Sequence, residues 1–268
     1  MKENEKELTK QDAFVRDYKR HHYEVTVLRI LIFAAFLILW EVSARLQWID
    51  SFFFASPTLV VKCSLGLIKD GSLLEHVGIT LFETIISFSL VFLISLVAAT
   101  LLWYSAKLSE ILEPYLVILN SLPKSALAPL FIVWLGTGTT TIIVAGISVA
   151  LFGSIISFYT GFKQVDAEKI TLIYTLGGKK RNAFFKVVLP GSIPILLSTT
   201  KVNIGLALVG VVIGEFLAAR RGLGYLIIYG SQVFKLDWVL TSIVILCVIA
   251  MGLYKLINLL EKLYLKRI

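Results

Sequence analysis

The chain has 268 residues, of which 57% are hydrophobic and only 16% charged. A soluble domain carries roughly 25% charged residues, so this composition excludes a large water-facing surface and implies an integral membrane protein. The net charge of +8 then reads as orientation rather than nucleic-acid binding, because cytoplasmic loops of membrane proteins collect Lys and Arg.

Residues 1–24 are charged, end in "DYKRHHY" and read as a cytosolic tail, a short helix lying on the membrane surface. No small-residue cleavage site follows the first apolar run, so this is not a signal peptide. His21 and His22 lack a third ligand nearby and read as a solvated face. Cys63 and Cys247 are far apart and form no metal or disulfide motif.

A first span is predicted over Val25–Leu46, with Arg29, Glu41 and Arg45 near its ends. Glu41 and Arg45 stand four apart and share a helix face. The aromatics of "WIDSFFF" suit a membrane interface. After Pro57, the spacing of Leu59, Val60, Leu67 and Ile68 predicts an amphipathic helix ending at "KDG". A second span covers about Leu81–Ala106, and "KLSEILE" follows as a short polar loop. The third, Pro114–Leu135, contains Pro123, Lys124 and Pro129. "GTGTTT" turns the chain into a fourth span, Thr140–Phe162. A loop, Lys163–Leu189, leads to the fifth, Pro190–Gly214. "EFLAARRGLGYLIIYGSQVFKLD" returns along the far side, and a sixth span covers Trp238–Leu256 before a basic tail. Residues 25–268 thus form one all-α polytopic domain of about six spans.

Six spans put both termini on one side. That side collects eighteen basic residues against six opposite, which places the termini and the 163–189 loop in the cytoplasm. No internal repeat suggests an inverted-repeat carrier.

The loop has an internal pattern. Ile170, Ile173 and Leu176 fall at helical spacing, Gly177 and Gly178 interrupt it, and Phe184, Val187 and Val188 share a second face. Lys179, Lys180 and Arg181 cluster at the start of that second half. The pattern predicts two short amphipathic helices joined by a glycine bend, with Pro190 in the first turn of the next helix. A basic loop resting on anionic headgroups accounts for the lysines but not for the hinge.

Charged and polar residues inside the spans are candidates for function. Lys124 and Lys201 either line a solute path and attract an anion, or snorkel to the cytosolic face. Asn120 and Ser121 satisfy backbone on the proline-broken segment or touch solute. Glu215 pairs with Arg220 or Arg221, or belongs to an outer gate. His76 stands alone, as an interfacial histidine. Gly205, Gly210 and Gly214 permit close helix approach, including approach to a second copy. Paired carboxylates, a His-rich metal set and a Ser/His/Asp constellation are not expected in the spans, which disfavours an enzyme.

The loop also carries a family pattern. Gly177 is followed by nine residues and then by Val187, Val188, Leu189 and Pro190. This resembles the cytoplasmic loop of ABC importer permeases, whose pattern is EAA, three residues, Gly, nine residues, Ile-x-Leu-Pro. Asp166 stands where such permeases often have an aspartate. Thr171, Leu172 and Ile173 replace the EAA triplet. "LPKSALAPLFIVWLGTGTTT", "GEFLAARRGLGYLI" and "DGSLLEHVGITLFETIISF" resemble segments of one branch, which serves sulfonates, taurine, nitrate and pyrimidine-type precursors.

The resemblance spans about residues 30–260 and implies a type I importer permease. It implies a bacterial inner-membrane location, a cytosolic ABC ATPase dimer, an extracytoplasmic solute-binding protein and a second permease copy in a homodimer. Asp166, Gly177, Gly178, Phe184, Val187, Leu189 and Pro190 would couple the loop to the ATPase. ATP and Mg would be bound by that partner. This chain has no G-x-x-x-x-G-K-[ST] motif and needs no cofactor of its own. The alternative is a channel or secondary carrier without an ATPase, which does not require the Gly177-to-Pro190 spacing.

Overall fold

The computed structural model describes residues 10–50 and 54–265. Residues 1–9 of the expected tail, Phe52 and Phe53 of the expected interfacial aromatics, and the terminal Lys266 and Arg267 lie outside this range. The chain divides into two units at Lys62/Cys63.

The first unit is dominated by helix α1, Lys10–Arg45. It runs without a break from the expected tail into the expected first span. The Glu41–Arg45 pair forms at 2.8 Å, as the spacing requires. Glu41 also accepts the Thr58 hydroxyl (2.7 Å) and amide (3.1 Å). Those bonds hold the start of α2, Pro57–Lys69, the helix predicted to end at "KDG".

Among the described residues the second unit is also helical throughout. Helix α3, Ser72–Tyr104, begins where Gly71 turns left-handed (φ 77°). The Asp70 carboxylate accepts the Ser72 amide (3.1 Å) and hydroxyl (2.7 Å), which keeps it below the usual carboxylate range. The segment expected as a polar loop after this span is instead the start of α4, Ala106–Ser121. The reason is local: the Ser105 hydroxyl caps the helix by accepting the Leu108 amide at 3.2 Å.

The expected third span is broken. Helices α4 and α5, Lys124–Leu135, meet at 95°. Pro123 disfavours helical geometry at the preceding residue, and Leu122 is extended there (φ −63°, ψ 139°). Helix α6 covers Thr139–Lys163 and α7 covers Ala167–Thr175.

A rod, α8, then runs from Lys180 to Ala218. The helix that carries the fifth span therefore begins ten residues before Pro190, the position where that helix was expected to start. Pro190 has no N–H to offer Lys186. The chain widens instead into a π-turn over Phe184–Val188, in which the Leu189 amide bonds the Phe184 carbonyl five residues back. Helices α9, Leu223–Gln232, and α10, Leu236–Leu265, complete the unit. Among the described residues five helices are long and apolar enough to cross a bilayer, six if the bent α4–α5 pair counts as one span.

Small and polar residues join α3, α6 and α8, as in a bundle with no hydrophobic drive between helices in lipid. A methyl on Gly210 would lie 2.8 Å from the Gly146 Cα, and one on Gly214 2.9 Å from the Ile142 Cα. These two glycines pack on α6 of the same chain, while Gly205 meets nothing within 4 Å. Asn203 donates to the Ser154 hydroxyl (2.7 Å), Ser87 to the Ile143 carbonyl (3.2 Å) and Ser95 to the Leu151 carbonyl (3.4 Å).

Candidate functional site

At one end of the bundle lies the 163–190 loop. Asp166 is the N-cap of α7 and accepts the Glu168 amide at 2.9 Å. The other end of α7 closes on the two glycines. The Gly178 amide bonds the Ile173 carbonyl (2.8 Å) and the Gly177 amide bonds Tyr174 (3.0 Å), the paired bonds of a Schellman cap. Gly177 sits at φ 78°, and a methyl on Gly178 would stand 2.7 Å from the Ile173 carbonyl oxygen. The glycine bend is thus a rigid helix stop. Gly178→Ala should loosen it, with faster hydrogen exchange at the Gly177 and Gly178 amides and none of that change in the α6–α8 seam.

Past the stop, Phe184 departs from its expected place on a docking face. It is 2% exposed. Its ring meets Trp103 (5.2 Å), Tyr104 (5.4 Å) and Phe162 (5.4 Å), so it docks inside the chain. Val188 is buried with it, while Val187 and Pro190 line a groove with Asp166, Lys169 and Lys186. Leu189 packs at the edge of the Phe184 cluster. Lys180 donates to the Tyr104 carbonyl at 3.0 Å and stands over the Trp103 ring. It thereby fills one of the open carbonyls at the end of α3. The large apolar side chains exposed on α7 and its C-cap are Leu172, Tyr174 and Leu176, at 57%, 44% and 75% exposure.

The pathway candidates separate. Lys124 donates to the Leu119 carbonyl across the break and stands 5.3 Å over the Phe152 ring. Ser121 is spent on the Val117 carbonyl of its own helix (2.9 Å). Asn120 places its carbonyl oxygen 3.1 Å from where a Gly153 methyl would sit. Lys201 is paired with Glu261 of α10, both mostly buried.

Glu215 also departs from expectation. It pairs with neither arginine, and Arg221 binds Glu75 instead. Glu215 is 1% exposed and caps α9 from within the bundle. Its two oxygens accept the Thr80 hydroxyl (2.6 Å) and the Gly224 amide (2.5 Å). Thr80 accepts the Leu223 amide (2.9 Å) and His76 accepts the Gly222 amide (2.8 Å). The open N–H groups at the start of α9 are therefore taken by side chains of α3 and α8. A carboxylate is well placed there by the helix dipole. His76 is a capping residue, not a lone one.

The glycines of "GLG" follow from this geometry. A methyl on Gly222 would lie 2.5 Å from the Glu215 carboxyl carbon, and one on Gly224 2.7 Å from its oxygen.

Sequence reasoning missed Glu83. It is 1% exposed on α3, one turn past the Thr80 that donates to Glu215. The expectation of no paired carboxylates in the spans is therefore overturned. The signal was present: an acid three residues into the predicted second span. A cavity of about 570 Å³ lies beside it, lined also by Phe82, Thr139, Arg220 and Arg221.

Over residues 91–268 the chain matches the family described as binding-protein-dependent transport system inner membrane component. It is 31% identical over 226 residues to a probable ABC transporter permease protein of Haemophilus influenzae, covering 84% of this chain and 91% of that one. It is 27% identical over 195 residues to the formylaminopyrimidine transport permease protein ThiX of Halalkalibacterium halodurans, covering 73% and 77%. Identity is also 27% over 229 residues to the taurine transport system permease protein TauC of Escherichia coli, covering 83% of each. Among solved structures, a chain of the inward-facing MetNI methionine ABC transporter matches with a TM-score of 0.64. That match has 21% identity over 71% of this chain and 94% of that one, a likeness of fold.

Proposed function

The chain belongs to the family of binding-protein-dependent transport system inner membrane components, and on that premise we propose how this permease subunit of an ATP-driven importer is coupled and what it carries. It is a transport subunit rather than an enzyme, and in such systems the ATPase is a separate subunit. The observation that carries the coupling reading is the exposed apolar set at the end of α7, with Leu172 and Leu176 four apart on one face and Tyr174 exposed on the other side. Leu172, Tyr174 and Leu176 project from a helix capped at both ends, on a loop otherwise anchored by Phe184. An exposed apolar set on a rigid support outside the bilayer suits a protein partner.

In this reading the face seats in a cytosolic ABC ATPase, where ATP and Mg are bound, and the termini lie on the same side. Closure of the ATPase dimer pushes α7. The Phe184 anchor passes that movement to α3, α6 and α8, which shift between inward and outward access. A second, identical permease completes the channel, and an extracytoplasmic binding protein delivers solute.

The solute is a sulfonate, taurine or pyrimidine-type nutrient, in keeping with the relatives' names, or nitrate, as the resemblance to the branch implies. Lys124 and Asn120, at the broken span, are the pathway residues that this proposal retains.

Replacing Leu172 and Leu176 together by Glu should leave the permease in the membrane and remove the ATPase from the purified complex. Retention of the ATPase would overturn the docking reading. Gly177→Pro should keep the assembly but abolish substrate-stimulated ATP hydrolysis, because a proline fits neither φ 78° nor the Gly177–Tyr174 bond. Lys124→Met should lower uptake of an anionic solute without uncoupling the ATPase, and unchanged uptake would remove Lys124 from the path.

A further inference from the structure

The bundle end opposite the loop contains two acids that no transport step described above uses. We propose that Glu83 and Glu215 form a proton-binding site within the spans, holding one proton between their carboxyl groups, and that this proton closes the junction of α3, α8 and α9.

The donor geometry says which group carries the charge. Both acids are 1% exposed, and Glu83 stands one turn past Thr80, which donates to Glu215. Two carboxylates so placed away from water cannot both be ionised. Glu215 receives donors on both oxygens. The Gly224 N–H can only donate, and the Thr80 hydroxyl, already accepting from Leu223, turns its own proton toward Glu215. Glu215 is therefore the anion, at the positive end of α9.

Glu83 differs. Its Oε2 is out of contact with solvent and has no hydrogen-bond partner. An ionised oxygen left so would be costly, whereas the carbonyl oxygen of a neutral acid is tolerated much better. The proton sits on the other oxygen of Glu83 and points at Glu215.

The surrounding charges do not supply a substitute cation. On α3, Glu75 is committed to Arg221, and the His76 Nδ1 accepts from Gly222. Arg220 is exposed and lines the neighbouring cavity. Helix α9 carries no charged residue, and α6 carries none before Lys163. On α8 the other ionisable group of the span, Lys201, is bound to Glu261 of α10. At the start of α10, Asp237 hydrogen-bonds Cys63. The cavity of about 570 Å³ that Glu83 lines gives the proton a way to water.

Loss of the proton leaves two like charges side by side. The repulsion loads the bonds from Thr80 and Gly224 that hold Glu215 and the start of α9.

Infrared spectroscopy of the full chain in lipid nanodiscs tests this without any transport assay. At neutral pH a carbonyl-stretch band of a protonated carboxyl should be present and should shift in D2O. Glu83→Gln preserves shape and a hydrogen-bond donor, and it should abolish that band. Raising the pH should remove the band from the natural chain in one step and lower its melting temperature in parallel. Glu83→Gln should flatten that dependence. Absence of the band, its survival in Glu83→Gln, or its loss only in Glu215→Gln would overturn the proposal. The wild-type titration stands even where a variant folds poorly. A failure of ATPase docking leaves this result untouched, so the two readings fail separately.

Discussion

Phe184→Ala should be the most damaging single truncation in the loop, lowering stability by about 3–5 kcal/mol on the scale of buried aromatic-to-alanine changes. The ring sits at the meeting of three elements. It touches Trp103 at the end of α3, Tyr104 beside it, and Phe162 near the end of α6, while its own backbone opens the π-turn of α8. Its neighbours Trp103, Tyr104 and Phe162 are bulky rings, so a cavity term adds to the transfer term. Phe185 makes the control. It is 54% exposed and meets Phe184 edge-on at 5.3 Å, so Phe185→Ala should cost at most about 1.5 kcal/mol. Melting temperatures in one detergent, read by an environment-sensitive thiol dye or by near-UV circular dichroism, would rank the two. Equal shifts would mean that Phe184 is not the anchor that carries force from α7 into the bundle.

How far the sequence announced this fold depends on the kind of signal. Long apolar runs needed no tertiary information, and α6 lies within a residue of the predicted fourth span at either end. The glycine bend was legible because Gly-Gly after an apolar period is a local stop signal. Local chemistry was also present, but overlooked, at Ser105, where a single cap converts an expected polar loop into α4. The early start of the helix that carries the fifth span was hidden for a different reason. A proline usually opens a helix, and only the widened turn before Pro190 shows how α8 continues through it.

The polar site was the least legible part. Glu83 and Glu215 are 132 positions apart, and nothing local says that α3 and α8 bring them together. The same holds for Phe184, whose periodicity gives an apolar face but not whether that face meets a partner or the chain itself. The "GLG" glycines read as a family feature until the Glu215 carboxyl is seen in the space their side chains would need.

Lys201 yields the second large effect, and it separates a structural lysine from a solute-binding one. Lys201 and Glu261 have only 17% and 16% of their side chains exposed. Removing one member of such a pair leaves the other charge buried and uncompensated, at a cost of about 3–5 kcal/mol. Lys201→Met should therefore lower the melting temperature sharply, and Glu261→Gln should do nearly the same. The double variant should recover most of the loss, because two neutral side chains of similar size need no desolvated partner. Solute uptake per folded transporter should then be close to that of the natural chain. A lysine that attracts an anionic solute behaves otherwise: uptake would stay low in the double variant, since removing Glu261 restores no positive charge. The cycle reads stability and uptake on the same four proteins. A double variant as unstable as Lys201→Met would show that the pair does not act as a unit, and Lys201 would return to the candidates for the path.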